Sequence, residues 1–298
     1  MARQLTQEIV EKWLEFVSGT FQMKDIWAEI GIEETENREH LRIILWRIEQ
    51  KGRIAKLSRD GTYRKVDDKL ELLDWQSADT SLIVPLKFPF GIEEYCRIYP
   101  KSIIILAGSK NEGKTAFLYN FIKLNMADFL IDLFNSETGP EQMKERFEPL
   151  DIPEPAPFNA YMRYDNFADV IHPDHISVID YLDLNSEVYL VGAEIDAIFR
   201  KLKSGVAIIG LQKPPPYATF IKGVKKVIER DLAYGGGFTA KRAVLYISLS
   251  NHKLKLVYVK TPAKKNVFPD NIQWTYSFNE QGYFINIQRP CRDEIELL

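Results

Sequence analysis

Residues 102–115 read SIIILAGSKNEGKT, in which Gly108 is followed after four residues by Gly113, Lys114 and Thr115. In such a loop a glycine-permitted turn aims successive backbone N–H groups at a polyphosphate. The lysine reaches the terminal phosphates and the threonine hydroxyl faces Mg²⁺. Nucleotide contacts are expected from Gly108, Ser109 and Lys110 at the turn, from Asn111 and Glu112 across it, and from Gly113, Lys114, Thr115 and Ala116 at its exit. Three further side chains stand where short apolar runs stop: Glu137 in FNSETGPEQ, Asp180 in VIDYLDL and Gln212 in IIGLQKP. Asp180 is of the type that holds Mg²⁺ indirectly opposite a phosphate-loop threonine, and Glu137 lies where open α/β sheets keep their chemistry.

Such groups converge only if the chain supplies strands that end together. AFLYNFIKLNM, after the glycine loop, has helical apolar spacing, so the loop opens a helix whose positive end also faces the anion. ADFLIDLFN, HISVIDYLDL and GVAIIGLQKP read as further strands, and strands alternating with helices predict a parallel sheet. AVLYISLS and KLKLVYVK predict a hairpin about Asn251-His252, and WTYSFNEQGYFINI a last one with Gly282 in its turn. Between them and Gln212, KPPPYATFIKGVKKVIERDLAYGGGFTAKRA is expected to be long and irregular, which in compact domains marks function. Lys213, Lys222, Lys225, Lys226, Arg230, Lys241 and Arg242 there outnumber Glu229 and Asp231. With Tyr217, Phe220 and Phe238 available for stacking, this is the equipment of sequence-tolerant single-strand binding. A solvated amphipathic helix is the plainer alternative, and GGGF reads otherwise as a hinge or a subunit contact. Asp183 reads as a loop or cap residue.

Ahead of all this, LTQEIVEKWLEFV, FQMKDIWAEIGI and TENREHLRIILWRIEQKG each have amphipathic helical spacing. In the third, Leu41, Ile44, Leu45 and Ile48 should face a core, leaving Arg38, Arg42, Trp46 and Arg47 outward. RIAKLSRDGTYRKV then predicts a hairpin about Asp60-Gly61. Three helices and a hairpin in that order resemble a winged helix-turn-helix over residues 4–66. The resemblance implies duplex DNA binding, with Arg38, Arg42 and Arg47 entering the major groove and Arg59, Arg64 and Lys65 reaching phosphates from the wing. A protein-docking unit is the alternative, because acidic residues nearly balance basic ones here. The expected division is residues 1–66, a polar linker at 67–83, and an ATPase domain over 84–298.

With 298 residues, 45% of them hydrophobic and 27% charged, the chain has the composition of a globular protein. A net charge of -3 gives no bulk attraction to nucleic acid, so such binding must come from local patches. Cys96 and Cys291 are too few for a disulfide framework or a metal cluster. No window approaches the roughly 18 apolar residues of a membrane span, and no signal-peptide plan is evident. A cytoplasmic location is therefore expected.

Taken together, GSKNEGKT, FNSETGPEQ, VIDYLDL and IIGLQKP resemble, in order and spacing, the RecA superfamily, and look most like the ATPase domain of DnaB-type hexameric replicative helicases over residues 84–290. The resemblance implies an α/β fold with a twisted, RecA-like parallel core flanked by helices. It makes Glu137 the base that orients the attacking water, Asp180 the Walker B acid, and Gln212 a γ-phosphate sensor that reports to DNA-binding loops. It further implies Mg²⁺ and ATP as ligands, homo-oligomers in a ring or filament, and single-stranded DNA held by the central loops. That family places a lysine and an arginine after the penultimate hairpin to act on the neighbour's γ-phosphate. Lys260 matches the lysine, whereas Pro262 stands where the arginine belongs, leaving Lys264 or Lys265 as substitutes. The primase-binding N-terminal region of cellular replicative helicases is replaced here by the winged helix, which points to replication or recombination of a mobile or viral element. A recombinase-like filament protein and an ATP-switched, DNA-binding regulator or loader remain as alternatives, and no motif separates ATP from GTP.

Overall fold

The computed structural model describes residues 5–17, 19–31, 35–67, 70, 72–182, 190–221, 224–279 and 281–288. The chain divides into two compact units, Met1–Ala78 and Asp79–Leu298. In the first, α1 (Gln7–Phe16) starts at Thr6, whose side chain accepts from the Ile9 N–H. A short strand, β1 (Thr20–Gln22), runs into α2 (Met23–Ile30), which is closed by a reciprocal Gln22–Asp25 capping box and by Gly31 at φ 75°. The long α3 (Thr35–Gln50) buries Leu41, Ile44, Leu45 and Ile48 as its spacing predicts. The hairpin β2 (Ile54–Lys56) and β3 (Thr62–Lys65) turns at Gly61 and joins β1 in an antiparallel sheet of order β1-β3-β2. Phe21, expected to open a helix, lies instead in β1 opposite Tyr63, because stacking on that ring at 5.8 Å and edge packing on Trp13 at 5.2 Å bury it more fully.

The second unit is built on one nine-stranded sheet. Its strands and helices follow in order: β4 (Ser102–Gly108), α4 (Lys114–Asn125), β5 (Ile131–Asn135), α5 (Pro140–Phe147), β6 (Asn159–Met162), β7 (Ile176–Asp180), α6 (Leu190–Lys201) and β8 (Val206–Gln212). After these come β9 (Tyr217–Ile221), β10 (Val224–Ile228), α7 (Gly237–Ala240), β11 (Ala243–Ser250), β12 (Lys253–Val259), β13 (Gln273–Phe278) and β14 (Phe284–Gln288). The sheet order is β14-β13-β12-β11-β4-β8-β7-β5-β6. From β11 to β6 all neighbours are parallel, and β12 to β14 extend the sheet antiparallel. This is a helix-flanked, mostly parallel sheet with the architecture expected of a RecA-like core.

Two cores explain why the parallel strands read as continuous apolar runs. Alternate residues of β4 point to opposite faces: Ile104 and Leu106 pack with Phe117, Leu118, Phe121 and Ile122 of α4. Ile103 and Ile105 pack with Val191, Ile195 and Ile198 of α6. The register then brings the carboxyl ends of the strands together, with Gly108 opposite Gln212 and Asn135 opposite Asp180. Gly210 keeps the space between α4 and β7 narrow, since a Cβ there would meet Ile179 O at 3.3 Å and Leu118 Cδ1 at 3.4 Å. Leu86, Phe88, Phe90 and Ile92 ahead of β4 are buried in the same core as α4.

The stretch after Gln212 differs from its irregular expectation. Tyr217–Ile221 and Val224–Ile228 form a two-stranded antiparallel hairpin, Ile221 opposite Val224, and GGGF begins the short α7. The β-branched and aromatic residues of YATFI and VKKVI supply the strand propensity that the surrounding prolines and glycines mask.

Candidate active site

Beyond β4 the chain turns through Ser109–Glu112 into α4, and two constraints fix the turn on glycine. Gly113 sits at φ 84°, and a Cβ there would lie 2.3 Å from Phe278 Cζ. Lys114 Nζ donates to the carbonyls of Gly108 and Ser109 at 3.3 and 3.2 Å, at the mouth of the loop. Thr115 Oγ1 donates to Asp180 Oδ1 at 3.3 Å. Asp180 is 2% exposed, and burial raises its carboxyl to about 6, against the opposing influence of the Thr115 bond and of Lys114. Burial likewise lowers Lys114, while Glu137, Asp180 and Glu112 favour its charged form. A hydroxyl and a carboxylate paired at a helix N-terminus are hard oxygen donors of the kind that hold Mg²⁺, directly or through its waters.

The loop carrying Glu137 is organised by a residue that sequence reasoning misses. Asn135, 2% exposed at the end of β5, accepts from the N–H groups of Glu137 at 3.2 Å and Thr138 at 3.3 Å, and its amide donates to Thr138 O. Ser136 completes the frame, donating its hydroxyl to Tyr181 O at 2.9 Å and its N–H to Asp180 O at 3.0 Å. Glu137 itself is exposed to solvent. Lys110, Asn111, Gly113, Lys114, Thr115, Ala116, Glu137 and Gln212 all line one cavity of about 770 Å³. The structure adds Tyr119, Asn120, Gln142 and Arg146 on one wall, and Phe278, Gln281 and Tyr283 of the last hairpin on another. That hairpin is tied down by Tyr276, whose hydroxyl donates to Glu112 O at 2.9 Å, while Glu112 Oε2 accepts from the His252 N–H at 3.0 Å. Glu112 therefore braces the loop from outside rather than lining the cavity.

Gln212 links the cavity to the basic segment. Its carbonyl accepts from the Tyr234 N–H at 3.0 Å, and the next N–H, that of Lys213, donates to Gly108 O at 3.1 Å. Lys213, expected on a DNA-facing surface, is 3% exposed and donates through Nζ to Ser248 Oγ at 2.8 Å and to Ser250 Oγ. Burial lowers its pKa despite Asp231, Glu229 and Glu112 nearby. Arg242 is similarly occupied, bonding Asp196 and stacking over Phe199 at 4.6 Å. On the hairpin, Arg230 lies 5.3 Å over the half-exposed Tyr217 ring, and Tyr234 and Phe238 are exposed nearby in sequence. Lys222 lies outside the described residues, and so do the side chains of Lys225 and Lys226, as does Asp183.

The residues expected to act on a neighbour are placed away from this cavity. Lys260 is exposed, its N–H bonded to Val244 O at the end of β12. Pro262 forms an isolated antiparallel bridge with Cys96, fixed by Arg97 N–H to Thr261 O at 2.8 Å and Ala263 N–H to Tyr95 O at 3.0 Å. Lys264 and Lys265 follow on an exposed loop. In the first unit, Arg42, Arg47, Arg59 and Arg64 are exposed, and Arg38 lies 4.7 Å over the Trp27 ring. Lys65 is not on the outer edge of the hairpin but donates to Leu14 O at 2.7 Å. Among the described residues no three or more of His, Cys, Asp and Glu gather as a metal-ion cluster, and no helix is long and apolar enough to cross a membrane.

No family model and no curated protein matches the chain. Among solved structures it is similar to the crystal structure of the RadB recombinase, over 62% of this chain and 90% of that one, with 13% sequence identity and a TM-score of 0.41. At that identity and score the likeness adds nothing to what the topology and the cavity already establish.

Proposed function

We propose that the second unit binds Mg·ATP in the 770 Å³ cavity and hydrolyses it as a RecA-like ATPase that assembles as a ring or filament on DNA. One observation carries this reading: Lys114, the Thr115–Asp180 pair, Glu137 and Gln212, distant in sequence, meet at the carboxyl edge of one parallel sheet. Backbone N–H groups at the start of α4 and Lys114 receive the phosphate oxygens, and Thr115 with Asp180 holds Mg²⁺. Bound there, Mg²⁺ would neutralise charge on the β- and γ-phosphates. Glu137 orients a water whose oxygen bonds to the γ-phosphorus as the bond to the β–γ bridging oxygen breaks. The electron pair leaves with ADP, and the water's proton passes to Glu137 and on to solvent. Gln212 senses the γ-phosphate and moves the backbone that it shares with Tyr234, so the hairpin of Tyr217 and Arg230 changes its hold on single-stranded DNA. The first unit, with the helix order and hairpin of a winged helix, docks duplex DNA through Arg42, Arg47, Arg59 and Arg64.

The test is the ATPase rate with and without single- and double-stranded DNA, with electron micrographs of the assemblies formed. Lys114→Ala should abolish nucleotide binding. Glu137→Gln should bind ATP and accumulate the ATP-bound assembly on DNA. If DNA neither binds nor alters turnover in the unmodified protein or in Glu137→Gln, the proposal is wrong.

A further inference from the structure

On the proposed reading, phosphates, Mg²⁺ and water fall to Lys114, Thr115, Asp180, Glu137 and Gln212, none of which comes from the last hairpin or from the turn after α5. Both of these segments nevertheless line the same cavity. Pro149 and Leu150 stand in that turn, Glu148–Leu150, and Phe278, Gln281, Gly282 and Tyr283 stand at the end of β13 and just beyond it. A cavity of about 770 Å³ lies within the roughly 300–1,000 Å³ of sites that enclose a whole small ligand, so it has room for more than phosphate.

We propose that these two segments form a slot for the purine ring of a nucleoside triphosphate, and that the slot holds the base by its faces, accepting adenine and guanine alike. This rests on the reading of the cavity as a triphosphate site and assigns the part of it that meets the base.

The slot adjoins the phosphate loop. A Cβ at Gly113 would lie 2.3 Å from Phe278 Cζ, so the aromatic wall begins against the loop itself, and a nucleotide anchored there by its phosphates has its base within reach of that wall. Both walls are held without a ligand. Phe278 packs edge-on to Tyr276 at 5.4 Å and beside Phe284 at 5.0 Å. The turn after α5 is pinned from α4, where Tyr119 stacks on Phe147 at 4.0 Å and Lys123 Nζ donates to Asp151 O at 2.7 Å. Leu150 belongs to the buried core against which Phe278 and Tyr283 pack. Walls already in place need little ordering when a ring enters between them.

The polar groups explain the tolerance. Telling one base from another takes hydrogen-bonding groups held in position, which the wrong base leaves unpaired. The hairpin turn spends its own groups on itself: the Tyr283 N–H donates to Asn279 Oδ1 at 2.8 Å, the Gly282 N–H donates to Asn279 O at 3.0 Å, and the Tyr283 carbonyl accepts from the Asn279 N–H at 3.1 Å. Asn120 is likewise occupied, its amide donating to Ala116 O at 2.8 Å. Gln142, Arg146 and Gln281, which also line the cavity, are exposed, so water can complete whichever edge the base presents. A glutamine amide turns over to meet the amino group of adenine or the carbonyl of guanine equally well. Stacking on an aromatic face makes no such distinction, because every base has one.

The experiment uses the full chain and isothermal titration with Mg·ATP, Mg·GTP and the Mg²⁺ complex of inorganic tripolyphosphate, which has phosphates and no base. In the unmodified chain the two nucleotides should bind within about tenfold of each other, and both more tightly than tripolyphosphate. Tyr283→Ala should keep its thermal unfolding and its tripolyphosphate affinity while losing affinity for both nucleotides by one shared factor, on the order of 10- to 100-fold. 8-azido-ATP, which carries its reactive group on the base, tests the placement without a variant: irradiation should label residues 278–283 or 148–150 of the unmodified chain. A larger preference for either base, label elsewhere, unchanged nucleotide affinity in Tyr283→Ala, or tripolyphosphate weakened as much as the nucleotides would each overturn the slot. If tripolyphosphate binds the unmodified chain as tightly as the nucleotides do, the slot fails and the phosphate site stands. If none of the three binds, the reading of the cavity itself fails, before any variant is made.

Discussion

On the proposed reading, Asn135 governs the placing of Glu137 without itself touching a reactant. Its amide oxygen collects the N–H groups of Glu137 and Thr138 and so braces the loop that presents Glu137, the proposed base. Replacing it with alanine leaves those two donors with no acceptor in a partly buried turn, a cost of about 1 kcal/mol in stability. Because the loss falls on Glu137 and not on the phosphate loop, Asn135→Ala should retain nucleotide affinity while kcat drops on the order of 100-fold, as expected for a small misplacement of a reacting group. Equilibrium binding and steady-state turnover on the same preparation separate the two. Lys213 teaches the opposite lesson. Its position after Gln212 in a basic stretch points to DNA, yet its ammonium serves two serine hydroxyls of β11 and fastens the end of β8 to the strand beside β4.

At the scale of elements, the hairpin β9–β10 carries the proposed coupling between nucleotide and single-stranded DNA. If Tyr217 and Arg230 form one stacking platform, Tyr217→Ala and Arg230→Ala should each weaken single-strand affinity by about 1–3 kcal/mol. Being in contact, the two changes together should cost less than their sum. Fluorescence anisotropy with a labelled oligonucleotide reads this, and additive losses would dissolve the platform into separate contacts. The strands β4, β5, β7 and β8 are legible in the sequence because a buried parallel strand is a continuous apolar run, and the glycine loop because its spacing is chemically constrained. The hairpin is not legible. Pro214, Pro215 and Pro216 before it and Gly235 to Gly237 after it read as breakers, and short alternation between them is a weak signal.

For the whole molecule, the acidic balance means that any hold on nucleic acid is made by a few local charges, and this is measurable. Duplex binding by the first unit should show a steep dependence on salt, and Arg42→Ala and Arg47→Ala should each reduce the slope of log affinity against log salt by about 0.9. Slopes unchanged by both substitutions would mark the helix face, with Trp46 also exposed on it, as a docking surface for protein. One arrangement bears on how the chain comes to be active at all. The phosphate loop is complete in sequence by Thr115, but Tyr276 holds it through Glu112 and Phe278 closes over Gly113, some 160 residues further on. Its neighbouring strand β11, too, is made only after residue 243. During synthesis at roughly 5–20 residues per second, the nascent chain exposes the glycine loop for about 8–30 seconds before the parts that shape it exist. On the proposed reading, competence for nucleotide is thereby deferred until nearly the whole second unit has emerged.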